Sequence, residues 1–159
     1  MSALTPGRHP GSRYFDELKV GDRFDTPGRT MTEADIHTYA GLSGDFHAYH
    51  TNEVIAQEGA FRGRICHGPL TLAVVSGLFR SRLGLFDGTG VATLGVTKVR
   101  FAKPVRPGDT IRARLEVRET RASGSRPNCG IVVLHVQGTD QWGEEVLACD
   151  WTELVARSS

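Results

Sequence analysis

Charge of one sign is missing from this chain. Its 159 residues carry 19 Lys and Arg against 18 Asp and Glu, a formal net charge of +1. A polyanion-binding face needs a basic surplus, so nucleic acid and anionic membrane are not expected partners. Long apolar runs are missing too, and no stretch reaches the length that spans a bilayer. The first 13 residues are polar, with no apolar segment of the signal-peptide kind, so a cytoplasmic protein is expected. Cysteine is scarce. Cys66, Cys129 and Cys149 are odd in number, far apart and form no C-x-x-C, which fits free thiols in a reducing compartment. There is no internal repeat and no heptad pattern. A Walker loop, a Rossmann glycine fingerprint and a serine-nucleophile elbow are also absent.

What remains is 39% hydrophobic and 23% charged, the composition of one soluble globular domain with a real core. Residues 1–13, with Pro6, Gly7, Pro10 and Gly11, read as a disordered leader, and residues 14–159 as a single domain. A turn at Val20-Gly21-Asp22 precedes a short strand over Arg23 to Thr26. Thr32-Glu33-Ala34-Asp35 is a helix-start signature, a hydroxyl cap with a carboxylate three residues on. Ile36, Tyr39 and Ala40 follow at helical spacing, and the helix stops within Gly41 to Gly44. A short helix is expected through Glu53 to Glu58. Gly59 to Gly63 reads as loop.

The strongest helix is Pro69 to Leu83. Gly68 serves as its cap and Pro69 as its first residue. Its apolar residues cover nearly all sides, so it should be buried on most of them. Four strands follow: Val91–Phe101, Thr110–Val117, Gly130–Val136 and Glu145–Val155. In the second, Ile111, Ala113, Leu115 and Val117 point inward and the arginines outward. A polar loop is expected over Glu119 to Asn128 and a turn at Gly138-Thr139-Asp140. Short connections favour antiparallel neighbours. One buried helix followed by four strands is an α+β layout, a sheet wrapped around the helix.

Chemistry concentrates in two segments. Gly44-Asp45-Phe46-His47-Ala48-Tyr49-His50 supplies a carboxylate and an imidazole five residues apart. Neutral imidazole is the usual general base near pH 7, and a carboxylate beside it can orient it or hold a water. Spacing alone leaves a second reading open, a turn aspartate and an unrelated surface histidine. Ile65-Cys66-His67-Gly68-Pro69-Leu70 opens the long helix. Its first amides lack internal partners and carry the positive end of the dipole, so they can hold an oxyanion. An ordinary capped core helix explains the same residues. Ser76, mid-helix, either bonds a carbonyl one turn back or points into a cavity. Cys66 reads as a buried thiol rather than a nucleophile. His47, His50, Cys66 and His67 match no standard zinc spacing, so no metal is expected. Arg62, Arg64, Arg100 and Arg106 are either phosphate contacts or solvated surface.

Together these two segments, with Ala56, Phe61 and Gly63, resemble the hydratase motif of the MaoC-like (R)-specific enoyl-CoA hydratases. Phe101-x-x-Pro104-Val105-x-Pro107-Gly108-Asp109 is similar to that family as well, and the resemblance runs from about Phe15 to Val155. It implies a hot-dog fold, an antiparallel sheet around the Pro69–Leu83 helix, usually dimeric. It implies catalytic roles for Asp45 and His50, a backbone oxyanion donor at Gly68 and an active-site serine at Ser76. His47, Tyr49, Cys66, His67 and Pro69 would line the substrate. The implied reaction is syn addition of water to a trans-2-enoyl-CoA, or its reverse, with coenzyme A entering only as part of the substrate and no other cofactor. The chain departs from the family where His47-Ala48 replaces Asn-Pro and where Cys66 replaces Ala. Two competing readings stand beside it. A hot-dog thioesterase usually carries an acid on or near the central helix, and Pro69 to Phe79 contains none. A non-catalytic acyl-thioester binder or partner subunit often lacks the Asp/His pair, which this chain keeps.

Overall fold

A computed structural model of the chain describes residues 9–158. The first regular elements are a 3-10 turn over Phe15–Glu17 and two short strands, β1 (Arg23–Asp25) and β2 (Arg29–Thr30). Helix α1 (Glu33–Ser43) starts at the expected cap. The Thr32 hydroxyl accepts the Asp35 N–H, and Asp35 returns a bond by accepting the Thr32 N–H at 2.8 Å. It ends at Gly44, whose φ of 77° is the left-handed conformation that glycine adopts at least cost. Two short helices follow, α2 (Ala48–Thr51), capped by the His47 ring, and α3 (Glu53–Glu58), capped by Asn52.

Helix α4 (Gly68–Gly77) starts one residue earlier than its sequence suggests, with His67 and not Gly68 as the cap. It also does not stay regular to Leu83. Residues Leu78–Arg82 form a π-helical turn. Leu70, Val74, Val75, Leu78 and Phe79 are buried, whereas Ala73 and Gly77 are exposed along a face that looks toward α1. The helix is therefore covered on fewer sides than its apolar composition implies.

The sheet contains β3 (Gly90–Phe101), β4 (Thr110–Ala122), β5 (Cys129–Thr139) and β6 (Glu145–Ala156). Its order is β1-β4-β5-β6-β3, with β2 also on β4, and every pairing is antiparallel. Ile111, Ala113, Leu115 and Val117 are buried as the alternation requires. With Leu134, Val136, Leu147, Cys149 and Trp151 they form one cluster with the inner residues of α4, and Phe79 meets Trp151 edge-on at 5.3 Å. This is the hot-dog layout, a single sheet curled around one helix.

Besides the ends of α4, three boundaries differ from the sequence reading. β4 runs on to Ala122 past a register shift between Val117 and Glu119, so the expected loop shrinks to 123–128. Its polar tail still pairs with β5, because ladder bonds are made by backbone and not by side chains. Gly138 and Thr139 belong to β5, not to a turn. A Cβ on Gly138 would lie 3.2 Å from Val75 Cγ2, so this glycine marks close helix–sheet approach. Finally, residues 9–13 of the expected leader are docked. Ser12 is fully buried, with its hydroxyl bonded to the Asp87 carbonyl, and the Arg13 N–H reaches the Leu85 carbonyl. The rest of that leader, residues 1–8, lies outside the described residues.

Candidate active site

The left-handed Gly44 turns the chain out of α1 and presents Asp45 on a short loop. The Asp45 amide is held by Ser43 Oγ, and its Oδ1 accepts the His47 N–H at 3.2 Å. His47 Nδ1 in turn accepts the Tyr49 N–H and caps α2. The turn is thus fixed by its own polar side chains.

His50 sits on α2. Its Nδ1 lies 2.8 Å from the Ile65 carbonyl oxygen. A carbonyl only accepts, so the proton is on Nδ1 and the Nε2 lone pair is free. Burial, ahead of the other influences, holds the His50 pKa below its ordinary 6.5, and the neighbouring His67 and His47 rings push the same way. The Ile65 carbonyl and Asp45 oppose them. Around neutral pH the ring is a neutral base with one open nitrogen.

His67 closes the arrangement from behind. It is 1% exposed, and its Nε2 donates to the backbone carbonyl of Asp45 at 2.9 Å. Its ring stacks on His50 at 3.7 Å with a 28° tilt, and Tyr39 of α1 backs it at 4.8 Å. Ligating-type atoms of Asp45, His50 and His67 lie within 4.8 Å of one another. The trio has the composition of a metal site, but its geometry opposes one. Imidazoles that share an ion must each aim an in-plane lone pair at it, and nearly parallel rings aim theirs past each other.

Gly68 and Leu70 follow immediately. Their amides have no acceptor among the described residues, and Pro69 between them has no N–H. Two donors at a helix start, beside a base and a carboxylate, form a ready anion site. A Cβ at Gly68 would lie 3.0 Å from ring atoms of Phe101, so only hydrogen fits there comfortably. A cavity of about 270 Å³ opens at this point, lined by Phe61, Ile65, Gly68, Thr71 and Phe101 among others. A larger cleft of about 530 Å³ runs between α1 and α4, past Tyr39, Leu42, Ala73 and Gly77. Neither Asp45 nor His50 lines either hollow; Leu70 borders the larger and Gly68 the smaller.

The structure therefore brings Asp45, His50, His67 and Gly68 together and sorts the other candidates apart. His67 is buried behind the site and does not face an open surface. Tyr49 props the following loop, its ring against Gly59 and edge-on to Phe61 at 5.8 Å. Cys66 lines the smaller cavity, and burial pushes its thiol up to about 12, which removes it as a nucleophile. Pro69 is exposed and Ser76 half-buried, eight residues beyond Gly68 and so about 12 Å along the axis. Among the arginines, Arg64 pairs with Glu33 and Glu53, Arg100 with Glu145, and Arg106 holds the carbonyls of Phe61 and Arg64. The Ile65 carbonyl and the Tyr39 ring escaped sequence reasoning. A backbone acceptor leaves no trace in residue identity, and Tyr39 reads only as one helical position among several.

A sheet around one helix, with an Asp/His turn packed against the helix start, is a hot-dog scaffold carrying a candidate acid–base pair. Residues 17–138 match the MaoC like domain family, and the chain belongs to it. The chain is 41% identical over 107 residues to Protein MaoC of Klebsiella aerogenes, covering 67% of this chain and 31% of that protein. It is 36% identical over 104 residues to an (R)-specific enoyl-CoA hydratase of Rhodospirillum rubrum, covering 65% and 69% respectively. The solved MaoC-like dehydratase from Rhodospirillum rubrum superimposes with a TM-score of 0.82 at 29% identity, over 92% of this chain and 99% of that one. The chain thus spans about a third of Protein MaoC and about two thirds of the Rhodospirillum hydratase.

Proposed function

We propose that the chain is a hydro-lyase that adds water to a trans-2-enoyl-CoA, giving an (R)-3-hydroxyacyl-CoA, and runs the reverse dehydration. The observation that carries this reading is the pairing of the free Nε2 of His50 and the Asp45 carboxylate with the unpaired amides of Gly68 and Leu70.

The thioester oxygen sits on those amides. A water is held between Asp45 and His50. As the water oxygen bonds to C3, its proton passes to His50 Nε2 and the electron pair of the C2–C3 double bond moves toward the thioester oxygen as an enolate. The amides stabilise that charge, and loss of one such donor typically costs about 3 kcal/mol. The imidazolium then returns its proton to C2. One base acting on one face both takes and returns the proton, which accounts for syn addition. Asp45 orients the water and steadies the transient cation. No metal or redox group enters this scheme. Ser76 lies eight residues beyond Gly68 on α4, and the scheme gives it no proton step.

A homodimer belongs to the same proposal. β3 is an edge strand of 12 residues with Val91, Leu94, Val99 and Phe101 all exposed. Such an edge is a template for pairing with a second copy. Three buried free thiols fit a reducing compartment, the cytoplasm. Among the described residues no helix is long and apolar enough to cross a membrane.

The test is direct. Purified protein is mixed with crotonyl-CoA and the enoyl-thioester absorbance is followed. A fall in absorbance with (R)-3-hydroxybutyryl-CoA as product is expected. Release of free thiol without a hydroxyacyl product would replace this reading with a thioesterase.

A further inference from the structure

Resting on the hydratase reading above, we propose that His67 is a positioning residue, a buried imidazole clamp that holds the Asp45 turn, the His50 ring and the start of α4 in one arrangement. Four contacts carry this. Its Nε2–H ties down the Asp45 carbonyl from 22 positions away. Its ring face lies on His50 at 3.7 Å, supported on α1 by Tyr39. Its own carbonyl accepts the Thr71 N–H, so the same residue begins α4 beside the Gly68 amide. Its Nδ1 is buried and has no partner among the described residues. An unpaired buried nitrogen is a cost that an apolar side chain of similar shape would avoid. Such a cost fits a residue with a task beyond filling space.

The clamp acts on charge as well as on position. The titratable groups in contact with His67 are Asp45 on the preceding turn, His50 on α2 and Tyr39 on α1. Only Asp45 among these is a carboxylate, and its contact with His67 is through the backbone. The His67 ring, acting in the same direction as burial, disfavours charge on His50.

The experiment compares wild type, His67→Phe and His67→Gln. Phenylalanine keeps a flat ring and removes the hydrogen bond to Asp45. Glutamine keeps a donor at the position of Nε2 and removes the stack. For His67→Phe, kcat should fall by about 100-fold through misplacement of the pair, with KM within about threefold. The acid limb of kcat/KM should move to higher pH, because the imidazole that opposes charge on His50 is gone. His67→Gln should recover part of the lost kcat while its limb stays displaced. Nitrogen-15 NMR titration of His50 reads the same shift with no substrate present. An unmoved His50 midpoint and a kcat within about twofold of wild type in His67→Phe would reduce His67 to core packing. If that variant does not fold, wild-type kcat and an unmoved midpoint in His67→Gln overturn the clamp. If wild type turns over no enoyl thioester, the hydratase reading fails, and the NMR titration still decides the clamp.

Discussion

Replacing Gly68 by alanine separates the role of the helix start in folding from its role in chemistry. The added methyl would stand 3.0–3.1 Å from three atoms of the Phe101 ring, a few tenths of an ångström inside ordinary contact. Phe101 lies on the edge strand and is 48% exposed, so its ring can swing outward. Overpacking of this kind costs about 1 kcal/mol at the low end of its range. Alanine in place of glycine in a helix returns about 1 kcal/mol. The two cancel, and the melting temperature should stay within about 3 °C of wild type. Activity should not be spared. The methyl and the displaced ring stand at the mouth of the cavity that opens on the Gly68 amide, and the thioester can no longer sit squarely on its donors. We expect kcat/KM to fall by about 100-fold, close to the loss of one oxyanion donor. Thermal melts and enoyl-CoA hydration rates measure the two effects on the same samples. Gly68→Ala combined with Phe101→Leu, which removes the clash, should recover most of the rate. Full activity in Gly68→Ala alone would show that the thioester does not lie at this amide.

Burial lowers the His50 pKa, so the neutral base persists below pH 6.5 and kcat/KM should hold level through neutrality, falling only as pH drops through that lowered value. The same shift affects stability. The unfolded chain binds the extra proton first, so the contribution of His50 is complete above 6.5 and is lost as pH falls from there through the folded pKa, which melts at graded pH would register. Glu153 is fully buried on β6, and its Oε1 accepts bonds from Arg80, Thr93 and Trp151 Nε1. Glu153→Ala should cost about 2–4 kcal/mol, moderated because Arg80 is partly exposed and can rehydrate, and denaturant titration measures it. Cys66, Cys129 and Cys149 are all free and buried, so Ellman's reagent should find no thiol in native protein and three after denaturation.

Much of the scaffold was legible because its signals are local. The Thr32–Asp35 box, the inward alternation of Ile111 to Val117 and the apolar run of α4 each state a secondary structure in a few residues; the first two appear where the pattern places them, and the third appears as a helix with shifted ends. Features set by distant partners were not. Gly138 has the composition of a turn, but it is small because Val75 presses on it from the helix. Ser12 sits in what reads as a loose leader, yet its hydroxyl is matched to Asp87 and Thr89, more than 70 positions away. Nothing in the composition of residues 78–82 marks the change to π-helical pitch. The site divides along the same line. Asp45, His50 and Gly68 are visible as candidates by residue type, but spacing alone leaves a turn aspartate, a surface histidine and an ordinary helix start as the rival reading, and the family resemblance is what singles them out. The Ile65 carbonyl that fixes the His50 tautomer is a backbone atom with no letter of its own, and the burial of His67 depends on α1 folding over it.

The central claim is that Asp45 and His50 work as one unit on an enoyl thioester. The most direct measurement is the rate and product chirality of crotonyl-CoA hydration by wild type, Asp45→Asn, His50→Gln and the double variant, with circular dichroism confirming the fold of each. The account predicts an (R)-3-hydroxy product from wild type. It also predicts a loss of at least about 100-fold in each single variant and little further loss in the double, since residues that act as a unit are strongly non-additive. Two folded single variants that hydrate crotonyl-CoA at near wild-type rates would contradict it.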